Sequence, residues 1–429
     1  MLQKIKLRQN MIPERKEDVG RIAVIGGGAS GMMAAITAAR LGTEVIVYEK
    51  NDRVGKKILV TGNGKCNFSN RDFSEKYYYG NRKKLKSCFE RFSVEDTVAF
   101  FSKAGMLVKE KNGYLYPWSE QAATVLDVLR MEMEQSGVRI ELCADVKAIV
   151  RKKQTGRFAV RTLDGEEEYD AVILACGGCA APKTGSDGSG FALAEILGHH
   201  ITPPVPALVQ LRCRDDFLRA VAGVRCQAGI RLYERKRLVQ EEEGELQFTD
   251  YGISGIPVFQ LSRQAAFLLK ERKNVAASID LLPQLDDGAL ERMCADRMKS
   301  ADGKTLEGFL LGIANKKVNL MIIKEAGYKP GDGAMGLGAE ALKNLLFSYK
   351  KLWVHITAVN SFDHAQVTAG GVVLDDVSEN LESLKIPGMY LAGEILDVDG
   401  RCGGYNLQWA WTSGYIAGKS AARRVSGCR

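Results

Sequence analysis

The stretch Arg21–Lys50, R-I-A-V-I-G-G-G-A-S-G-M-M-A-A-I-T-A-A-R-L-G-T-E-V-I-V-Y-E-K, limits what this chain can fold into more than any other. Ile22 to Ile25 form a short apolar run of buried-strand type, and Gly26-x-Gly28-x-x-Gly31 follows at once. An apolar, helix-like segment runs to Arg40, Leu41-Gly42 stops it, and Val45 to Tyr48 make a second apolar run ending in Glu49. This is a βαβ unit with a dinucleotide fingerprint. Gly26 permits the tight turn, Gly28 lets a pyrophosphate approach the backbone, and Gly31 lets helix and strand pack closely. The helix N-terminus offers free N–H groups to phosphate. Glu49, 18 residues after Gly31, stands where an acid accepts ribose hydroxyls.

The chain contains its own controls. Gly331-x-Gly333-x-x-Gly336 and Gly336-x-Gly338-x-x-Ala341 also fit the pattern, but Lys329-Pro330 precedes them instead of an apolar run. They read as loop glycines.

With 429 residues, 45% of them hydrophobic, the chain can bury two or three domain cores without staples. The net charge of +8 is spread out, with local clusters at Arg82-Lys83-Lys84 and Arg235-Lys236-Arg237. Such a distribution reads as solvated surface, and nucleic acid is not expected as a partner. No apolar run is long enough for a spanning helix. The charged first 19 residues read as a leader, not a signal peptide. Ten irregularly spaced cysteines fit a reduced, cytoplasmic protein. Cys176-x-x-Cys179 lacks a second pair or His cluster, so no metal site is expected. Cys66 has no nearby partner for a redox-active disulfide.

Residues 51–70, N-D-R-V-G-K-K-I-L-V-T-G-N-G-K-C-N-F-S-N, read as a polar loop beside the dinucleotide, with Lys56, Lys57 and Asn63 as contacts. Residues 82–105 have helical spacing, Asn112-Gly113 centres a hairpin, and Gln121–Ser136 is an amphipathic helix. Val138–Ala144 reads as a strand, followed by a small meander whose last strand, Glu168 to Cys176, runs into Gly177-Gly178 and a second close backbone approach. Thr202-Pro-Pro-Val-Pro206 reads as a domain boundary. Short alternating runs follow, including 237–240 and 245–248, then Thr249 and Ser254 as cap-type residues before a helix ending at Lys270. Residues 286–349 are mainly helical.

The closing segment is the second informative stretch. Gly388–Glu394 is an apolar run ending in Gly393 and an acid, and Arg401-Cys402-Gly403-Gly404-Tyr405-Asn406-Leu407-Gln408 opens a helix bearing Ala410, Ser413, Gly414, Ala417 and Gly418. Such a segment brings a second helix N-terminus to a large cofactor, where its dipole suits the negative charge of a reduced flavin. Together with the N-terminal fingerprint it favours FAD over NAD.

V-I-G-G-G-A-S-G, T-G-N-G-K-C-N, F-T-D-Y-G-I-S-G, V-T-A-G-G-V and A-G-E-I-L-D-V-D-G-R-C-G-G-Y-N-L-Q-W-A-W-T-S-G closely resemble the BaiN/YhiN-like FAD-dependent oxidoreductases, also called the aminoacetone-oxidase family. The resemblance spans roughly residues 20 to 425. It implies an α/β fold: a two-dinucleotide-binding-type, Rossmann-like FAD domain over 20–200 and 360–429. A β-barrel-like insertion over 201–283 and 350–359 and a helical one over 284–349 complete it. FAD contacts are implied at Gly26, Gly28, Ala29, Ser30, Gly31, Glu49, Lys50, Lys57, Gly62, Asn63, Gly64, Val146, Gly177, Gly178, Gly393, Glu394, Gly404, Tyr405, Asn406, Leu407 and Gln408. Asp250 and Ile256 depart from the family pattern in the inserted region.

Members named for bile-acid chemistry imply reduction of an activated C=C bond in a hydrophobic enone. NAD(P)H is then a transient donor, because no second convincing fingerprint exists. Arg401, Cys402, Tyr405 and Tyr251 are the cleft candidates for catalysis. Two further readings stay open on sequence grounds: an oxygen-using amine or amino-ketone oxidase, and a flavin-bearing nucleic-acid-binding protein. The oligomeric state is not legible.

Overall fold

The computed structural model describes residues 19–427. The predicted leader therefore lies almost wholly outside the described residues. A five-stranded parallel sheet stands at the centre, in the order Met389–Leu391, Ala171–Leu174, Arg21–Ile25, Glu44–Glu49, Arg139–Leu142. Its inner strands are buried throughout, which is why they read as unbroken apolar runs. The strand contributed by the far end of the chain, Met389–Leu391, pairs with Val172–Leu174.

The first helix, Ala29–Ala39, and the C-terminal helix, Tyr405–Val425, pack on the same face of this sheet. They touch through glycine. A Cβ at Gly414 would lie 2.4 Å from the Ser30 carbonyl oxygen, and one at Gly418 would lie 2.3 Å from that of Ala34. Both partners advance by four residues, so the helices run parallel and both N-termini point the same way.

One sequence expectation here needs correction, and two gain detail. The strand read as Glu168 to Cys176 is two strands, Glu166–Tyr169 in the antiparallel meander and Ala171–Leu174 in the parallel sheet. The break is Asp170, whose carboxylate accepts from the Arg21 N–H at 2.8 Å and pairs with Arg157. The helical spacing over 82–105 holds as two helices, Arg82–Arg91 and Val94–Lys103, the second started by Ser93 and Asp96, which read in the sequence as a helix-start signal and close a capping box. The proline-rich run at the expected boundary is itself a strand: Ile201–Ala207 pairs antiparallel with Val367–Val372. Its ladder is interrupted between Thr202 and Val205, where Pro203 and Pro204 have no N–H to give.

Between these paired strands the chain builds a closed six-stranded barrel, in the order Leu211–Cys213, Gly252–Ser254, Arg237–Thr249, Arg225–Glu234, Val275–Asp280, Leu352–Val359. The runs 237–240 and 245–248 are one long strand. Thr249 and Ser254 lie in strands, and the helix Ile256–Lys270 starts instead at Gly255, with Pro257 in its first turn. Helices between Asp287 and Phe347 close over the barrel and share its core.

Gly418→Ala should destabilise the protein by about 1–3 kcal/mol through overpacking against Ala34, measured by denaturant unfolding. An unchanged midpoint would show that the two helices separate easily.

Candidate active site

The first turn after the strand Arg21–Ile25 does what its glycines predict. Gly26 has φ of +107°, and a Cβ there would lie 2.5 Å from the Ala175 carbonyl oxygen. At Gly31 the Cβ would sit 1.9 Å from the Gly26 carbonyl oxygen. Around Gly28 nothing lies within 4 Å, so this is the open side of the turn. Gly28 caps the helix without any side-chain bond, and the first helical turn carries no acid. The N–H groups of Ala29, Ser30 and Gly31 thus face an open cradle suited to pyrophosphate. The control glycines Gly331, Gly333 and Gly336 also have nothing within 4 Å, but none is preceded by a strand.

Glu49 is buried. One carboxylate oxygen accepts from the Gly27 N–H at 2.9 Å, and the other accepts from the backbone and side-chain N–H groups of Asn51. It is held rigidly at the strand end, where its remaining lone pairs can meet ribose hydroxyls. Lys50 pairs with Asp187 at 2.5 Å. Val146 lies just before the meander ladder that begins at Ala148.

The loop Thr61–Gly64 is backbone-rich and exposed. Gly62, Asn63 and Gly64 all have left-handed φ. Behind it, buried Cys66 has its thiol pushed up to about 12 by desolvation, so it supplies no thiolate near neutrality. Lys57 pairs with Glu394 at 2.7 Å, and the same carboxylate accepts from the Thr368 N–H at 2.7 Å. The two expected contacts are therefore partners of each other, and Lys57 sits not in a loop, as read from the sequence, but in the short helix Lys56–Val60, which it ties to the C-terminal segment. Gly177 and Gly178 are glycines for protein packing: their Cβ atoms would meet Ser186 Oγ and Thr368 Oγ1, each at 2.4 Å. Their backbone N–H and C=O groups point elsewhere than these missing Cβ atoms, so the packing leaves the expected backbone approach open.

Gly393 lies against the start of the first helix, its Cβ position 2.3 Å from Ser30 Oγ. Downstream, Gly404 (φ +92°) opens the C-terminal helix, again without a side-chain cap or an acid in the first turn. From the Ser30–Gly414 contact, this N-terminus projects beyond that of the first helix by roughly 12 Å, at 1.5 Å per residue. Two uncapped, positively polarised helix ends thus stand staggered on one side of the sheet, an arrangement suited to an extended cofactor with a pyrophosphate at its middle and a reactive ring at one end. Asn67 makes a further fit. Its Oδ1 is buried with no hydrogen-bond partner among the described residues and lies 2.8 Å from a Cβ position on Gly404. Asn67 was not among the expected contacts, although it closes the quoted motif T-G-N-G-K-C-N.

Other predicted contacts fall away as side chains. The Gln408 amide accepts from Ser69 Oγ at 2.6 Å and donates to Thr97, Thr412 and Ser93, so nothing is left for a ligand. Asn406 clamps Gly400 through both amide atoms. Tyr405 is buried, its hydroxyl donating to the Asp72 carbonyl at 2.8 Å, and burial raises its pKa. That removes Tyr405 from the catalytic candidates. What remains of this turn is its backbone: the N–H groups of Tyr405, Asn406 and Leu407, because that of Gln408 already bonds to Gly404.

The loop Asp399–Cys402 lies under the barrel and is clamped from it three times. Arg263 holds Asp399 at 2.9 Å, Glu242 holds Arg401 at 2.5 Å, and Gln260 Oε1 accepts from the Cys402 N–H at 3.1 Å. Arg263 stacks 3.8 Å from the Tyr79 ring centroid. Arg401 is thus engaged in an ion pair, and burial raises the Cys402 thiol. Tyr251 sits at the barrel rim. Its oxygen accepts from Asn360 Nδ2 at 3.3 Å, Asn360 is itself fixed by Gln210 and Arg212, and the Arg212 guanidinium lies 5.1 Å from the ring centroid. The Tyr251 O–H proton stays available to a ligand.

Comparison with known proteins now settles the lineage. The model of the HI0933-like protein Rossmann domain matches residues 20–420. The chain belongs to this family. It is an FAD-dependent oxidoreductase. It is 41% identical over 411 residues to a 3-dehydro-bile acid Δ(4,6)-reductase of Clostridium scindens, covering 95% of this chain and 100% of that one. It is 29% identical to a ribosomal RNA dihydrouridine synthase of Haemophilus influenzae, over 94% and 98% of the two chains. Among solved structures, a 3-ketosteroid Δ1-dehydrogenase of Sterolibacterium denitrificans aligns with 95% of this chain and 100% of that one, at 13% identity and a TM-score of 0.49. Among the described residues, no helix is long and apolar enough to cross a membrane.

Gly31→Ala should yield protein without bound flavin, whereas Gly336→Ala keeps it; the visible spectrum of each purified variant decides. A second expectation concerns Asp399, whose carboxyl burial pushes up to about 7 against the pull of Arg263. The folded state keeps this proton after the unfolded chain has released it near pH 4. Stability from this group therefore falls as pH rises from about 4 to about 7 and is level above that. Wild type should lose stability more steeply than Asp399→Asn between about pH 5 and about pH 7; parallel curves would refute the shift.

Proposed function

We propose that the protein reduces a C=C bond conjugated to a carbonyl in a hydrophobic, steroid-like enone, with NAD(P)H as a transient electron donor. The likeness to the bile-acid reductase along essentially the whole of both chains carries this reading. The related dihydrouridine synthases are compatible with it in chemistry, since a uracil ring also carries a C=C bond conjugated to a carbonyl.

We propose that the cofactor is held by the backbone at Gly28–Gly31, Glu49, the loop Gly62–Gly64, Asn67, Val146, and the backbone at Gly393 and Gly404–Leu407. Bound FAD supplies hydride transfer. The chain's own part is to orient the substrate and to stabilise the charge that develops on its carbonyl oxygen. Tyr251 Oη, positioned by Asn360 and flanked by Arg212, is the donor best suited to that oxygen. The Arg263, Glu242 and Gln260 contacts hold the loop Asp399–Cys402 against the barrel helix and exclude water there. Only one fingerprint βαβ unit is present among the described residues, which supports brief docking of the nicotinamide donor over a dedicated domain.

The test is anaerobic. NADH or NADPH should bleach the flavin, and a 3-oxo-Δ4 steroid should restore it. Tyr251→Phe should slow that restoration by roughly 100-fold while leaving the flavin spectrum intact. Fast reoxidation by oxygen alone, with no response to the enone, would instead mark an oxidase.

A further inference from the structure

Beyond the C-terminal end of the helix Ile256–Lys270 the barrel carries a groove of about 860 Å³. Its rim comes from four places. Arg235 and Lys236 form the turn between the strands Arg225–Glu234 and Arg237–Thr249. Lys273 follows the barrel helix, Lys351 precedes the last strand, and Arg214 follows the first. All five cations are exposed, and no Asp or Glu lines the groove. Among the described residues only Lys273 has a carboxylate partner, Glu234 at 3.9 Å; Arg214, Arg235, Lys236 and Lys351 form no ion pair. The one further titratable group, His355, is paired with Asp215 at 2.8 Å.

This differs from the outer faces of the neighbouring strands. Along the neighbouring strands Arg231 pairs with Glu241 and Arg225 with Glu245. The groove floor is aromatic: Tyr233 and Trp353 lie side by side with centroids 5.2 Å apart, and Trp353 is 37% exposed. Trp353, His355 and Thr357 alternate outward along one strand. The turn is held in shape as well. Arg235 keeps a left-handed φ of +53°, and its N–H donates to the Asn274 carbonyl at 3.1 Å. A non-glycine residue held in that region costs about 1 kcal/mol or more and persists only where its surroundings enforce it.

Unpaired cations around an exposed aromatic platform are the elements that hold a single-stranded nucleic acid: charge for the phosphates, ring faces for the bases. We infer that this groove is a docking site for single-stranded RNA. The inference stands apart from the redox reading, because binding is measured without turnover. It reverses the expectation, drawn from dispersed charge along the sequence, that nucleic acid is no partner. Arg214, Arg235, Lys236, Lys273 and Lys351 are scattered over 138 positions of the chain and meet only in the folded barrel.

The experiment uses the flavin-loaded protein and a labelled single-stranded RNA of about 12 nucleotides, with fluorescence anisotropy read across a salt series. Four to five phosphate contacts give a slope of about −3 in log K against log salt. Replacing two cations, Arg235→Ala with Lys236→Ala, should make the slope shallower by about 1.4. Trp353→Ala should weaken binding roughly tenfold or more at fixed salt while leaving the slope unchanged. The pair Arg82→Ala with Lys83→Ala, another basic cluster, should change affinity by less than about twofold. Flavin absorbance and circular dichroism confirm that each variant is folded. The inference is overturned if RNA does not bind saturably, if the groove variants bind like wild type, or if the Arg82/Lys83 pair has the same effect. It is equally overturned if NADPH displaces the RNA, which would make the groove a dinucleotide site, or if tripolyphosphate competes as well as RNA and Trp353→Ala has no effect.

Discussion

The contact between Gly414 and Ser30, repeated one turn later between Gly418 and Ala34, is the constraint on which the functional site depends. Only residues without a Cβ let two helix backbones approach this closely. The approach joins the first helix of the chain to its last, parallel and on one face of the sheet. Parallel packing aims two positive helix ends in the same direction, and the longer C-terminal helix carries its end past the first. This stagger suits a cofactor with a central pyrophosphate and a reactive ring further along. Antiparallel packing would have placed the second dipole on the opposite edge of the sheet.

The barrel depends on that arrangement in turn. The paired strands Ile201–Ala207 and Val367–Val372 lead the chain out of the sheet and back, so the barrel is anchored at two adjacent points. Its helix Ile256–Lys270 can then lay Gln260 and Arg263 on the loop preceding the C-terminal helix. The buried Arg263–Asp399 pair is a costly contact unless its geometry is good. Here the guanidinium meets both carboxylate oxygens and stacks on Tyr79 and Phe267. Specific placement of the loop is a better account of such a pair than stability.

The fingerprint was legible because each of its glycines answers a local demand, and local demands leave a sequence pattern. Gly26 and Gly31 face backbone within a few residues or on the adjacent strand, and Glu49 ends that same unit. At Tyr405, Asn406 and Gln408 the sequence leaves open which atoms are offered, for a related reason. The motif G-G-Y-N-L-Q marks a helix start without a side-chain cap, and its side chains face the protein, bonding Asp72, Gly400 and Ser69. A motif shows that a turn matters without showing which of its atoms are offered. Asn67 was the reverse case: its unpaired oxygen appears only once the C-terminal helix is in place.

By itself the sequence determined the βαβ unit, the adenine dinucleotide, the return of the C-terminal segment to the first strands and the family, because these depend on short-range spacing and apolar runs. Tertiary structure alone decided the rest. It made the proline-rich run a strand, paired Lys57 with Glu394, clamped Asp399 and Arg401 beneath the barrel, and gathered five distant cations around Tyr233 and Trp353. The physical reason is range. Backbone conformation and strand burial are set within a few residues, whereas charge pairing and hydrogen-bond satisfaction depend on whichever partners a closed barrel and two parallel helices bring within 3 or 4 Å.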